Sequence, residues 1–438
     1  MRSPAVIFLT SLVTLLTVPS AGHSSETEST FRAGAAMRVI TPDPLLPVSG
    51  GVGEPRTVTG KRGELTVRAM VFSDGKTSVA VVGIDVLGFP SVLGNRVRAL
   101  VPAIPPSNIV IGASHTHSAP DCYGFPLPSG GFTGDLKFMD MVCTRAAEAI
   151  NDAVAQLQPA VLRVGTGKAN GKIAYNYYAP QLYDPRMSVI QVSGTEGKTI
   201  GTLVNYAVHP EVLGSEAGVI SPDLIGPLCD RIEEQAGGMA MFMNGAEGGM
   251  ITADNRNLDE PRDGGIGVWN GTRSWEECLR IGHLMADEAL RIIKTTPEQK
   301  NPPIHCVAEQ VKFPVESPLM WAIVVASPLK YPHGDDHTIT VQMNLINLGN
   351  AQILTIPGEA LPNIGYYLKR KMNGEHRLLF GLTNDAFGYI LTKEDFQSFE
   401  RYDYVSRTSL GEMTGEILIE NALRMVASNP KPEKAVRR

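Results

Sequence analysis

The sequence predicts an α/β fold, with mixed β-sheets flanked by helices in a single large domain. Three observations lead there. Short β-rich runs recur along the chain, and most stop at a polar or glycine-rich loop. Segments with apolar residues three and four apart lie between them. The two kinds alternate irregularly, which argues against a regular doubly wound sheet.

In chain order, residues 67–73 and 77–85 read as a hairpin turned by Asp74-Gly75-Lys76. Residues 108–113 form an apolar run that ends at Ser114-His115-Thr116-His117-Ser118. Strands follow over 161–165, 187–192 and 199–207, the last leading to His209. The run 239–243 stops at Asn244-Gly245, and further strands cover 304–313, 338–348 and 352–356. Residues 378–382 end at Thr383-Asn384-Asp385. Helices are expected over 135–156, 223–235, 275–294, 360–372 and 409–427. The second of these follows a Ser-Pro-Asp start suited to an N-cap.

The ends and the charge bound the setting. Arg2, an apolar run over 5–18 and Ser20-Ala21-Gly22 have the form of a cleaved signal peptide spanning residues 1–22, so a secreted or periplasmic protein is expected. Residues 23–30 read as a disordered leader, 31–428 as the domain and 429–438 as a disordered tail. The net charge of −6 gives no basic footprint for nucleic acid. None of the five cysteines forms a CxxC pair, and their odd number leaves at least one outside any internal disulfide.

The residues able to carry chemistry gather at strand ends, where open α/β sheets place their sites. His115 and His117 are separated by one residue. In an extended chain they face opposite sides, so the spacing favours one metal ligand and one acid–base neighbour. His209 shares that sheet end. Glu359, after Pro357-Gly358, is expected to open the helix that follows. A carboxylate joining two histidines leaves zinc an open position for water. Asn384, Asp385 and Tyr389 follow another strand, and Asn244 to Gly249 form a turn able to approach a ligand. The run His333-Gly334-Asp335-Asp336-His337 reads as a solvated surface turn.

Taken in series, these segments resemble the catalytic domain of the neutral/alkaline non-lysosomal ceramidases. The opening Ala33-Gly34-Ala35-Ala36-Met37-Arg38-Val39-Ile40-Thr41-Pro42 is similar to that family's start, and residues 65–85 to its first hairpin, with Asp85 at the end. The His-Thr-His-Ser, Ala-Val-His-Pro, Pro-Gly-Glu and Asn-Asp…Gly-Tyr segments follow in family order. The resemblance implies one Zn2+ held by His115, His209, Glu359 and Tyr389, with His117 and Tyr402 as further catalytic residues. Asn244, Glu247, Asn384 and Asn176 are the expected substrate-binding residues.

Three departures bear on the substrate. The family's Gly-Asp-Val-Ser-Pro stretch is matched to Gly248-Gly249-Met250-Ile251-Thr252, so the serine position falls on Ile251, with Thr252 beside it. The family's Asn-Arg-Ser stretch is matched to Asn176-Tyr177-Tyr178, which puts Tyr177 at the arginine position. The sequence also holds no counterpart of the family's C-terminal β-sandwich domain. The expectation is a secreted zinc hydrolase of an N-acyl, ceramide-like amide, working by metal-activated water and meeting its lipid substrate at a membrane surface. A hydrolase of another amide or ester, and a non-catalytic binding protein on the same scaffold, are the alternatives.

Overall fold

The hairpin that the sequence predicts around Asp74 is the middle of the main sheet. Strands Thr66–Ser73 and Ser78–Ile84 pair antiparallel, with Ser73 opposite Ser78. The turn is closed by the Asp74 carboxylate, which accepts from the backbone N–H of Lys76 and of Thr77. In this computed structural model, Met1 and residues 30–256 and 273–433 are described. The expected signal peptide, apart from Met1, and the leader up to residue 29 lie outside the described residues.

The main sheet has nine strands. Its order is Met239–Asn244, Thr199–Tyr206, Arg186–Gly194, Gln158–Lys168, Arg32–Val39, Thr66–Ser73, Ser78–Ile84 and Ile109–Ala113, with Gln299–Lys300 added beside Gln158–Lys168. Antiparallel pairs fill the centre, and a parallel pair stands at each edge. The sheet coils until its two edge strands approach each other. A Cβ on Gly112 would sit 2.6 Å from the Met243 side chain, and one on Gly83 would sit 2.9 Å from the Phe242 carbonyl oxygen. Glycine at these positions is what lets the edges come together.

Helix Leu136–Ala155 covers one face. Asp135 caps it by accepting from the N–H of Lys137 and Phe138. It lies so close to the first strand that a Cβ on Gly34 would fall 2.0 Å from the Ala153 carbonyl oxygen. Helices Ile225–Ala236 and Trp275–Lys294 pack together elsewhere on the sheet, around Leu228, Cys229, Ile232, Ile281 and Met285.

A second sheet orders Ile304–Pro314, Thr338–Leu348, Ala351–Thr355 and His376–Phe380. Its last two strands are parallel. Backbone bonds stitch it to the main sheet at one end. The N–H of Ala113 donates to Leu382, that of Asn384 to Ile111, and that of Gly381 to Asn244. The exits of Ile109–Ala113, Thr199–Tyr206, Met239–Asn244, Ala351–Thr355 and His376–Phe380 therefore share one region.

The α/β class and mixed sheets are as the sequence predicts. Two boundaries differ with consequences. The helix expected from residue 360 starts at Pro362, and Glu359–Ala360 is instead a two-residue strand parallel to Tyr389–Ile390. The expected tail begins packed, since Asn429 bonds His305 and the Pro430 carbonyl accepts from Asn347. All five cysteines are free thiols. Among the described residues no helix is long and apolar enough to cross a membrane.

Candidate metal centre

The chain leaves strand Ile109–Ala113 through Ser114 and turns sharply at His115, whose φ is +74°. A bulky residue rarely adopts this left-handed conformation, and it persists only where the surroundings enforce it. The turn breaks the alternation of an extended chain. His115 and His117 consequently face the same space, with ring centroids 4.8 Å apart, rather than opposite sides as the spacing implied. His209 completes the group, 4.7 Å from His115 and 5.8 Å from His117.

All three rings are oriented by the same device. The Nδ1–H of His115 donates to the Leu87 carbonyl at 2.5 Å, that of His117 to Gly50 at 3.1 Å and that of His209 to Ile251 at 2.9 Å. Each ring therefore presents Nε2 inward, and such backbone partners fix the tautomer that a metal-binding histidine requires. The three ligand atoms lie within 4.8 Å of one another.

Glu359 and Tyr389 arrive through the short parallel strand pair. Glu359 Oε2 lies 3.1 Å from His209 Nε2, and Oε1 lies 3.7 Å from His115 Nε2. Tyr389 is buried, its hydroxyl hydrogen-bonds the Glu359 carboxylate, and it reaches Met250 Sδ at 3.5 Å. The four residues expected as ligands thus meet at one point, with His117 beside them.

Burial holds His115 and His117 neutral, each pushed down to about 3, although Glu359 opposes this at His115. Burial also works against charge on His209, but the hydrogen bond its Nε2–H donates to the Glu359 carboxylate and the charge of that carboxylate prevail and raise it to about 9. Burial raises Glu359, yet His115 and His209 outweigh it and leave the carboxyl below its usual range. The proton shared between His209 and Glu359 is the one a metal ion would displace.

Two further observations test whether these residues suit a metal. His117 Nε2 and both carboxylate oxygens of Glu247 are buried with no hydrogen-bond partner. Orphaned polar groups at one place are costly and call for an ion or water. Imidazole nitrogens with a carboxylate and a phenol are also a donor set that zinc accepts. The residues fit a zinc ion.

The centre forms the inner wall of a solvent-open cavity of about 100 Å³. His115, His117, Glu359, Asp385, Tyr389, Tyr404 and Thr408 are among its polar lining. The remainder is chiefly apolar: Phe125, Met320, Ile323, Val324, Ile339, Phe387 and Leu410. Helix Pro318–Ala326, which sequence patterning did not single out, forms much of this wall. Its nine residues carry no charged side chain, so they show no amphipathic period.

Several expected residues lie off the cavity. Tyr402 packs against Tyr178 and Phe399, with ring centroids at 5.3 and 5.4 Å, while Tyr404 two positions later lines the cavity. The turn from Glu400–Tyr402 into helix Asp403–Arg407 sets the second tyrosine at the cavity, its ring 5.9 Å from that of Tyr389 while still exposed. Asn244 is fully buried. Its amide donates to Ser114 and Val208 and accepts from Val208 and Gly245, so it clamps three strand exits. The Asn384 oxygen accepts from Arg98 and the Ile111 N–H, and its amide donates to Gln342 and Asn344. Asn176 closes its own turn through Tyr178, Ala179 and Leu182. These three asparagines have their polar atoms engaged in scaffold bonds. Glu247 is buried behind the cavity wall rather than in it.

Ile251, matched to the family's serine, has its side chain in the core among Val208, Ala253 and Phe242, and its carbonyl oxygen orients His209. Thr252 pairs with Tyr175 in strand Ile251–Ala253. Tyr177 is largely exposed. His333 and His337 flank Trp321, with His337 stacked on it at 4.1 Å, while Asp336 pairs with Lys312. That turn is a brace on the outside of helix Pro318–Ala326.

No family model matches the sequence, and no curated relative matches it. Solved structures do, among them two of ceramidases. The crystal structure of neutral ceramidase from Pseudomonas aeruginosa aligns with a TM-score of 0.71 at 17% identity, over 94% of this chain and 77% of that one. A ceramidase complexed with C2 aligns at 0.69 and 16% identity, over the same shares. At this identity the likeness is one of architecture: across nearly its whole length, the chain has the neutral ceramidase fold.

Proposed function

We propose that the protein is a zinc-dependent amidohydrolase that cleaves an N-acyl, ceramide-like amide. The observation carrying this reading is the meeting of three inward-facing imidazole Nε2 atoms with the Glu359 carboxylate at the inner end of an apolar cavity. His115, His209, Glu359 and Tyr389 hold the ion. Bound there, zinc supplies Lewis acidity toward the scissile carbonyl and activates water.

The chain's own residues do the rest. The walls from Phe125, Met320, Ile323, Val324 and Phe387 take the acyl chain and exclude water from the carbonyl. His117, fixed through Nδ1 on the Gly50 carbonyl, presents an unprotonated Nε2 that can take a proton from the attacking water and pass it to the leaving amine. Tyr404 offers a hydroxyl at the same wall. With Ile251 in the core, the reading needs no serine nucleophile. The shared fold with a ceramidase complexed with C2 supports an acyl-amide substrate. An exported location suits the leader sequence. Exposed Leu319 and Val325, on the helix that walls the cavity, support contact with a lipid surface.

The test is metal analysis of the purified protein with an N-acyl amide hydrolysis assay. One zinc per chain is expected, and His115→Ala and His209→Ala should each abolish both zinc and turnover. Full activity in a zinc-free preparation would sink the reading.

A further inference from the structure

Glu247 has no place in the functions described so far. It does not line the cavity, is fully buried, and neither carboxylate oxygen has a hydrogen-bond partner. Burying a carboxylate without a partner is among the costliest arrangements a protein can hold. The backbone nevertheless keeps it there. The Glu247 carbonyl accepts from the N–H of Ile251, whose own carbonyl orients His209. The next residue, Gly248, donates its N–H to Ala360, and a Cβ on it would fall 2.1 Å from the Glu359 carbonyl oxygen. Gly381 makes the room, since a Cβ there would lie 2.8 Å from Glu247 Oε2. Glu247 is thus locked between the backbones that carry His209 and Glu359. Burial first, and then the Glu359 charge, push the Glu247 carboxyl well above its usual range, while His209 opposes this, so a nearby cation is what would favour its charged form.

Charge counting explains such a group. A dication held by neutral imidazoles, the single carboxylate of Glu359 and the Tyr389 phenol, which burial and Glu359 keep protonated, leaves one uncompensated positive charge in a buried place. We propose that Glu247 is the charge-balancing partner of the metal centre, a positioning residue that acts on the dication from behind His209 and Glu359 and sets how tightly it is held. This rests on the zinc reading above. It also replaces the substrate contact expected of Glu247 from sequence.

The isosteric Glu247→Gln change separates this role from a packing role, because its two effects have opposite sign. Burial keeps the Glu247 carboxyl protonated without the metal, so the neutral isostere should leave the metal-free protein at least as stable, with an unchanged or higher Tm. Removing the balancing charge should weaken zinc binding about 10–100-fold, as loss of an outer partner of a metal site does. Both are measured on the full chain, by thermal melting after chelation and by competition of Zn2+ with a chelator of known affinity. Unchanged zinc affinity, or a metal-free variant that melts lower, overturns the proposal. The wild type distinguishes the two failures. If it takes up no zinc, the metal reading falls. If it binds zinc and the variant binds as tightly, only the role of Glu247 falls.

Discussion

Glu359 and Tyr389 are direct register partners in a parallel pair of strands only two residues long each. The N–H of Glu359 donates to the Gly388 carbonyl and that of Leu361 to Ile390, so both side chains are set on the same side by backbone bonds. This small ladder delivers a carboxylate and a phenol to the histidines together. Tyr389→Phe should leave the ladder intact and change stability by no more than about 1 kcal/mol. Zinc affinity should fall at least ~10-fold, measured by chelator competition. Retained affinity would remove Tyr389 from the ligand set.

The apolar cavity makes chain length a readout. Val324 is buried in the helix wall facing it. Val324→Trp should fill the cavity and exclude about three methylenes of an acyl chain. At ~0.8 kcal/mol each that is about 2 kcal/mol, roughly 30-fold in kcat/KM for long-chain amides. Acetyl amides should be unaffected. Equal losses for both would place the acyl chain elsewhere.

Tyr404 lines the cavity and Tyr402 does not. Tyr404→Phe should therefore lower kcat by ~10-fold or more, within the range of lost acid–base or polar assistance. Tyr402→Phe should leave kcat within about twofold. The reverse order would restore the role that the sequence resemblance gives to Tyr402.

Asp385 gives the pH test. Burial pushes its carboxyl up to about 6, against hydrogen bonds from Ser91 and Ala386 and the nearby Arg98. The folded protein thus prefers the protonated form. This contribution is fully present below the unfolded value near 4 and is lost as pH rises through about 6. Asp385→Asn should gain on the wild type across that window, reaching on the order of 2–3 kcal/mol by pH 7 in denaturant unfolding. A stability difference that does not vary between pH 4 and 7 would count against the shift.

Much of the framework is local and therefore legible. The helix Trp275–Lys294 and the strand Thr338–Leu348 have the predicted limits, because their periodicity is long and their ends are capped or turned. The four expected ligands also converge, since strand exits collect at one end of parallel pairs. The apolar wall was not legible. Helix Pro318–Ala326 carries no polar period, and its cavity partners Phe125, Phe387 and Leu410 come from distant segments.

The sequence by itself determined which residues stand at the strand exits and which donor types they bring: two nearby histidines, a third downstream, a carboxylate and a tyrosine. Tertiary structure decided how they face. A left-handed turn at His115 puts His117 on the same side, and a two-residue strand replaces the first turn of a helix at Glu359. It also buried Glu247 beside the backbone that carries Glu359 rather than in the cavity. Those outcomes depend on backbone bonds between segments far apart in the chain, such as Ala113 to Leu382 and Gly248 to Ala360, and no local pattern encodes such partners.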